Sequence, residues 1–337
     1  MPLSTNAKIN LIGALSGAAY GVFARYVFDA GLSSSDIFEV MSSSFIIGMP
    51  VALGFISIWL GGKQTKPTWC ACLFRPWLAS IFCLLSCLLL LWEGLICIIL
   101  WLPLVLVLSS FGGCIAGAAW RIFRSDRSRN YCVAFIALIP FAAAPLENLR
   151  AAATEIRTVD THIDIQAPRQ TVWDQIKSVP LITEQEQRFS FTHLLGFPRP
   201  LEARLEGEGV GAIRYATFEG GVLFIETITE WTTGHSLAFS IHADPANIPA
   251  DTFDEHVTIG GPFFDVLDGT YRIEDLGNGR FRLHLSSRQR LSTRFNFYSH
   301  LWTEYLMARL QTYILEVIKI RCETTPSVAW QPAPDRF

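Results

Sequence analysis

Hydrophobic positions fall into two regimes along this 337-residue chain. Up to residue 147 they form long apolar blocks: Ile9 to Phe28, Ile37 to Leu60, Trp77 to Trp120 and Tyr131 to Leu146. From residue 158 onward apolar and polar residues alternate in short segments, and a helical run without Gly or Pro, Asn296 to Arg321, follows them. Blocks of the first kind predict membrane-spanning helices, since about 20 apolar residues cross the hydrocarbon core. The block from Trp77 to Trp120 is about twice that reach, so it predicts two spans joined by a turn and brings the total to five.

Details within the blocks refine this picture. The first lacks a strong basic flank and a small-residue cleavage site, so it is read as a retained span and not a signal peptide. Its Gly13, Gly17 and Gly21 recur every four residues and lay a flat groove along one helix face, expected to be filled by another span of the same chain. The turn in the long block is expected at Trp92-Glu93-Gly94, where the carboxylate reaches the interface without burying its charge. The alternative at Trp101-Leu102-Pro103 buries Glu93, for which the block holds no partner. Pro140 and Pro145 are expected to kink or end the fifth span. Lys63, Lys66 and Arg75 follow span two and Arg121, Arg124, Arg127 and Arg129 follow span four, whereas the segment from Asp29 to Asp36 and the Glu93 turn hold no cation. The positive-inside rule then places the N-terminus in the cytoplasm and everything beyond Glu147 outside it.

The second half reads as a sheet and helices. Thr158 to Ala167 alternates cleanly, Pro168 opens a short helix reaching about Val179, and a second short helix is expected around Ile182 to Gln187. Strands are then predicted at Leu201–Glu206, Ala212–Phe218, Val222–Trp231, Ser236–Ala243, Leu267–Asp275 and Arg280–Arg290, separated by turns such as Gly220-Gly221 and Gly277-Asn278-Gly279. Seven antiparallel strands expose one apolar face, and only the last helix is long enough to cover it. The expected fold class is therefore a membrane α-helical bundle of about five spans (1–147), a short helical linker (148–157), an α+β domain (158–323) and a disordered tail (324–337).

That order of elements, with HIDIQAPRQTVWDQI opening the domain, FIETITEWTTGHSLAFSI in its middle and GGPFFDVLDGTYRIE before the last hairpin, resembles the helix-grip fold of the START/SRPBCC superfamily. It is most similar to the polyketide cyclase/dehydrase and lipid-transport group. The resemblance covers roughly Thr158 to Glu323 and implies a deep apolar cavity between sheet and C-terminal helix. It implies no single reaction, because carriers, sensors and enzymes share the superfamily.

For such a cavity the inward strand positions Phe224, Ile228, Phe239, Ile241, Tyr271, Leu283 and Leu285 are the expected lining. Leu301, Trp302 and Tyr305 are expected to complete it from the helix, with Arg309 orienting a polar headgroup or pairing with a sheet carboxylate such as Glu226. The long connection from Asp244 to Phe264 suggests a lid, in which His256, with Asp251 and Asp254, is a candidate acid/base. His300 and Glu304 share a helix face, and a solvated pair is expected there in place of a metal site. Cys70-Ala71-Cys72 lacks the further ligands of a zinc site, so no metal or other cofactor is expected.

Charge bounds the partners. Residues 1–147 carry 9 Lys/Arg and 6 Asp/Glu, and residues 148–337 carry 18 and 24. An acidic second half without a basic cluster argues against nucleic acid and leaves a hydrophobic or lipid-like small molecule and the membrane as expected partners. Seven of the eight cysteines precede residue 147, so no disulfide forms within the second half and cysteine usage leaves its compartment open. The expectation is membrane-anchored binding of a hydrophobic ligand by a carrier or sensor. A cyclase/dehydrase-like enzyme acting on a membrane-derived substrate is the alternative.

Overall fold

A computed structural model describes residues 5–29, 38–61, 66–123, 126–187, 190–243 and 258–324. The chain divides into two compact units, Met1–Ala153 with Thr293–Phe297, and Thr154–Ser292 with Tyr298–Phe337.

The first unit is helical: α1 Thr5–Asp29, α2 Met49–Gly61 entered through a π-helical turn at Ser44–Gly48, α3 Trp69–Leu89, α4 Leu95–Ile122 and α5 Asp126–Glu147. Five helices are long and apolar enough to span a membrane. The long apolar block folds back at residues 90–94, as the Glu93 turn requires, but Glu93 does not escape to the interface. It is 9% exposed, and its Oε1 accepts from Arg25 Nε of α1 at 2.6 Å. The partner missing within the block comes from the first span. The second span starts later than expected, at Ser44, because Glu147 at the end of α5 accepts from the Ser43 and Ser44 amides (2.7 and 2.9 Å) and caps the helix there. Pro140 and Pro145 lie inside α5 without ending it.

The glycine groove is filled from within the chain. A Cβ at Gly13 would collide with the Ser57 carbonyl of α2, and one at Gly21 with the Cys83 thiol of α3. At Gly17 it would lie 2.9 Å from Ala79 Cβ and 3.0 Å from Ser57 Cβ, so the helices meet at backbone distance. Gly17→Ala is expected to cost about 1–3 kcal/mol by overpacking. A lowered thermal unfolding midpoint of the detergent-solubilised full chain checks this.

Residues 148–157 are not the helix expected of a linker. They leave α5 through a turn and extend into β1 Glu155–Gln166. The reason is competition for their backbone: Arg294 takes the Glu147 and Arg150 carbonyls (2.8 and 2.6 Å), and Arg157 is already paired across the sheet with Gln289.

The second unit continues with α6 Arg169–Lys177, α7 Phe191–Leu194, β2 Pro200–Glu206, β3 Ile213–Phe218, β4 Leu223–Thr232, β5 Ser236–Ala243, β6 Phe264–Gly277, β7 Arg280–Leu291 and α8 Asn296–Thr324. One seven-stranded antiparallel sheet runs in the order β1-β7-β6-β5-β4-β3-β2 and grips α8, the helix-grip arrangement. No helix forms at residues 182–187. Glu186 instead closes a single turn by accepting from the Thr183 amide and hydroxyl (2.8 and 2.9 Å). The core under α6 contains Trp173, Ile176, Ile228, Leu237, Leu283 and Ile318, each 1% exposed or less.

Candidate ligand cavity

Inward side chains alternate along each strand, and between β3, β4, β5, β6, β7 and α8 they leave a cavity of about 150 Å3. Its sheet wall includes Ala216, Phe224, Phe239, Ile241, Tyr271 and Leu285, and its helix wall Met307, Leu310, Gln311, Ile314 and Val317. Gly269 belongs to the wall for a steric reason: a Cβ there would lie 2.6 Å from the Phe239 ring, so the missing side chain makes room for the aromatic one.

A buried ion pair interrupts this apolar surface. Arg214 on β3 and Glu226 on β4 are directly opposite in the antiparallel register, with Nη1 to Oε2 at 2.6 Å, and are 3% and 5% exposed. The guanidinium carbon lies 5.2 Å from the Phe239 ring centre and 5.9 Å from that of Tyr271. Arg214 Nε is buried without a hydrogen-bond partner among the described residues. Burial pushes the Glu226 carboxyl up from its usual range and the Arg214 charge opposes it, while Glu226 holds Arg214 firmly protonated. Burial also raises the Tyr271 phenol, which is partly relieved by Arg214. On the helix side Gln311 is fully occupied. Its Nε2 donates to Ser287 Oγ (2.8 Å) and the Val159 carbonyl (3.2 Å), and its Oε1 accepts from Thr161 Oγ1 (2.9 Å). Gln311 therefore fixes α8 to β1 and β7, and Arg214 Nε is, among the described residues, a buried donor left available to a guest.

The segment carrying Val179 and Ile182, also in the wall, is held down from α8. Arg321 donates to both Glu186 oxygens (2.6 and 3.0 Å) and to the Pro180 and Leu181 carbonyls. The Arg321 hydrogen bonds, with those of Thr183, hold the Glu186 carboxyl at about 2. A carboxyl held below its unfolded value of 4.5 contributes stability above that value and loses it as pH falls toward about 2. Glu186 is 21% exposed, so solvent screening limits the contribution to about 1 kcal/mol. Glu186→Gln is expected to speed amide exchange at residues 179–187 at pH 7, with the difference from the parent chain shrinking toward pH 3.

The sequence-predicted residues distribute as follows. Phe224, Phe239, Ile241, Tyr271 and Leu285 lie in the cavity wall. Ile228 and Leu283 are 1% and 0% exposed in the adjoining core. Leu301 (56% exposed), half-buried Trp302, Tyr305 (39%) and Arg309 sit outside the wall, with the Arg309 guanidinium 5.4 Å from the Tyr305 ring centre. The sheet carboxylate named as a partner for Arg309, Glu226, is taken by Arg214. His256, Asp251 and Asp254 lie outside the described residues, as does the tail beyond Thr324. Glu304 stands 3.9 Å from Arg157, and Cys70 is exposed while Cys72 is buried in α3.

A scan against protein-family models finds no match, and neither does a search of characterised proteins. Solved structures similar to this chain include the ZhuI aromatase/cyclase from Streptomyces sp. R1128, at 14% identity over 50% of this chain and 94% of that one, with a TM-score of 0.33. A protein from Thermus thermophilus is similar at 16% identity over 49% and 97%, with a TM-score of 0.31. Norcoclaurine synthase from Thalictrum flavum is similar at 13% identity over 49% and 96%, with a TM-score of 0.30.

Proposed function

We propose that the second unit is a membrane-anchored binding module for a hydrophobic or lipid-like small molecule carrying one uncharged hydrogen-bond acceptor. The observation that carries the reading is the buried Arg214–Glu226 pair set in an otherwise apolar wall, with Arg214 Nε unpartnered. A guest group there meets a cation already neutralised by its carboxylate, so a carbonyl or hydroxyl oxygen suits it better than an anion. Size narrows the class further. A cavity of about 150 Å3 suits a ring system or part of a single chain better than a two-chain phospholipid. Anchoring is supported by the five apolar helices, and the distribution of Lys and Arg between them favours an extracytoplasmic second unit.

Native mass spectrometry of the full chain, released from detergent, tests this. One retained small molecule is expected in the parent protein. Ala216→Phe, which fills the cavity from β3, is expected to reduce its occupancy at least tenfold. Equal occupancy in both would remove the cavity as its site.

A second reading, an enzyme of the cyclase/dehydrase type, draws on the same pair. Glu226, with a raised pKa beside a guanidinium and the Tyr271 phenol, is suited to proton transfer. Glu226→Gln separates the two: turnover of a bound polyketide-like substrate would fall by a factor of about 100 or more if Glu226 moves a proton. A binding module would show no turnover to lose in either the parent chain or the variant.

A further inference from the structure

On the sheet face opposite α8, β1, β7 and β6 bring two imidazoles and two carboxylates together. His162 and His284 are direct cross-strand neighbours, with ring centres 5.5 Å apart. Asp160, two residues before His162 on the same face of β1, places Oδ1 3.5 Å from His284 Nδ1. The ligand atoms of Asp160, His162 and His284 all lie within 4.8 Å of one another. From β6, Glu274 Oε2 stands 3.0 Å from His284 Nε2.

The hydrogen bonding raises a problem that a cation solves. Glu274 is an acceptor, so it fixes the proton of His284 on Nε2 and leaves a lone pair on Nδ1. That Nδ1 is buried and makes no hydrogen bond among the described residues, and the atom facing it is a carboxylate oxygen. Two acceptors directed at one another call for a positive charge between them. His162 is the third group of the cluster. A metal ion uses all three.

We propose that Asp160, His162 and His284 form a site for a divalent transition metal, Zn2+ foremost, with Glu274 as the positioning residue behind His284. Two imidazoles and one carboxylate match the donor preference of zinc and its first-row neighbours, whereas Ca2+ and Mg2+ favour all-oxygen sets. Bonds of ~2.0–2.1 Å place tetrahedral donors about 3.3 Å apart. Asp160 and His162 are exposed, so their rotamers are free to close on the ion. Carboxylate–imidazole–metal relays of the Glu274–His284 kind hold the ring and its tautomer in place. Nearby cations do not block the site: Arg282 is held by Asp164 at 2.8 Å, and Arg272, opposite His284 on β6, is exposed to solvent. The fourth position faces solvent and is left to water or an added anion. The ion would cross-link β1, at the edge of the sheet, to β7.

Titration of the full chain in detergent with Zn2+, and with Co2+ for its absorption spectrum, tests the proposal. A Cys70→Ser background removes the exposed thiol. The expected result is one equivalent bound, with a Co2+ spectrum free of thiolate charge transfer. His162→Ala/His284→Ala should abolish that equivalent, and Asp160→Asn should weaken it at least tenfold. Glu274→Gln should weaken it by about 10–100-fold at unchanged stoichiometry. Asp160 is exposed, so Asp160→Asn gives the readout even if the double histidine variant fails to fold. A parent chain that binds no equivalent, Co2+ bound through thiolates, or equal affinity in parent and Asp160→Asn would overturn the site.

Discussion

Replacing Glu226 with leucine is expected to destabilise the second unit by about 3–5 kcal/mol, because it strands a protonated guanidinium in an apolar cavity. Arg214 has no means of losing its charge and is 3% exposed, so this penalty should be the same at pH 5 and pH 8. Arg214→Met leaves the opposite problem with an escape. Burial already raises the Glu226 carboxyl, and without Arg214 to oppose it the group protonates and becomes a neutral acid. An acid with a raised folded pKa favours the folded state most below its unfolded value, about 4.3, and loses that advantage as pH rises through the folded value. The Arg214→Met chain should therefore be clearly more stable at pH 5 than at pH 8. The double variant Arg214→Met/Glu226→Leu removes both desolvation penalties and should return to within about 1–2 kcal/mol of the parent chain, or exceed it. Pulse proteolysis in urea, with cleavage followed in the second unit, measures all four. A stable double variant that no longer retains the small molecule would mean the pair serves the guest and not the fold. One that stays unstable would make the pair structural.

The same pair shows what was legible in the sequence. Arg214 and Glu226 lie six residues either side of Gly220, and a tight Gly220-Gly221 hairpin sets such positions face to face. Reading the register from the turn would have joined them. Choosing a polar partner from the helix favoured Arg309 instead. Helix phase was the weaker inference for a physical reason. The 29 residues of α8 span roughly 43 Å, while seven strands ~4.8 Å apart span about 29 Å, so part of the helix extends past the surface it covers. The aromatic turn at Leu301, Trp302 and Tyr305 looks like a buried stripe, yet the turns that face the cavity are those of Met307, Gln311 and Ile314. Strand alternation was more reliable. On β4, β5, β6 and β7 the expected inward positions face either the cavity or the adjoining core, since a sheet with one covered face leaves no other register. The Glu93 partner could not be found by composition, because it depends on which spans are neighbours, and that is set by the glycine contacts between α1, α2 and α3.

Removing either partner of Arg25–Glu93 is the corresponding experiment in the helical unit, again with an expected cost of about 3–5 kcal/mol. The side chains are 3% and 7% exposed, Arg25 Nη2 also donates to the Trp92 carbonyl at 2.9 Å, and Asp29 stands 3.2 Å from Nη1. Arg25 lies one turn before the end of α1 at Asp29 and Glu93 in the turn between α3 and α4, with the Tyr26 and Trp92 rings 6.2 Å apart beside them. Aromatic rings at the ends of spans favour the headgroup level, so the pair closes one end of the bundle while remaining inside it. This bears on orientation. At that end Arg25 is paired with Glu93 and Asp29, and Arg294 with Glu147 at the end of α5. The free cations Lys66 and Arg75 belong to the other end, near the start of α3. Glu93→Leu should lower the unfolding midpoint of the solubilised chain and leave Arg25 with the half-exposed Asp29 as its remaining partner; in the proposed orientation it also adds one net positive charge to the translocated side. Arg25→Leu/Glu93→Leu removes the buried charges together. It should restore stability to within about 1–2 kcal/mol and leave a reporter fused after residue 337 outside the cytoplasm, as in the parent chain. If the double variant inverts the reporter while remaining folded, the ion pair itself directs insertion. If the parent reporter is cytoplasmic, the five-span extracytoplasmic orientation fails, and a guest of the cavity would have to reach it from the inner leaflet.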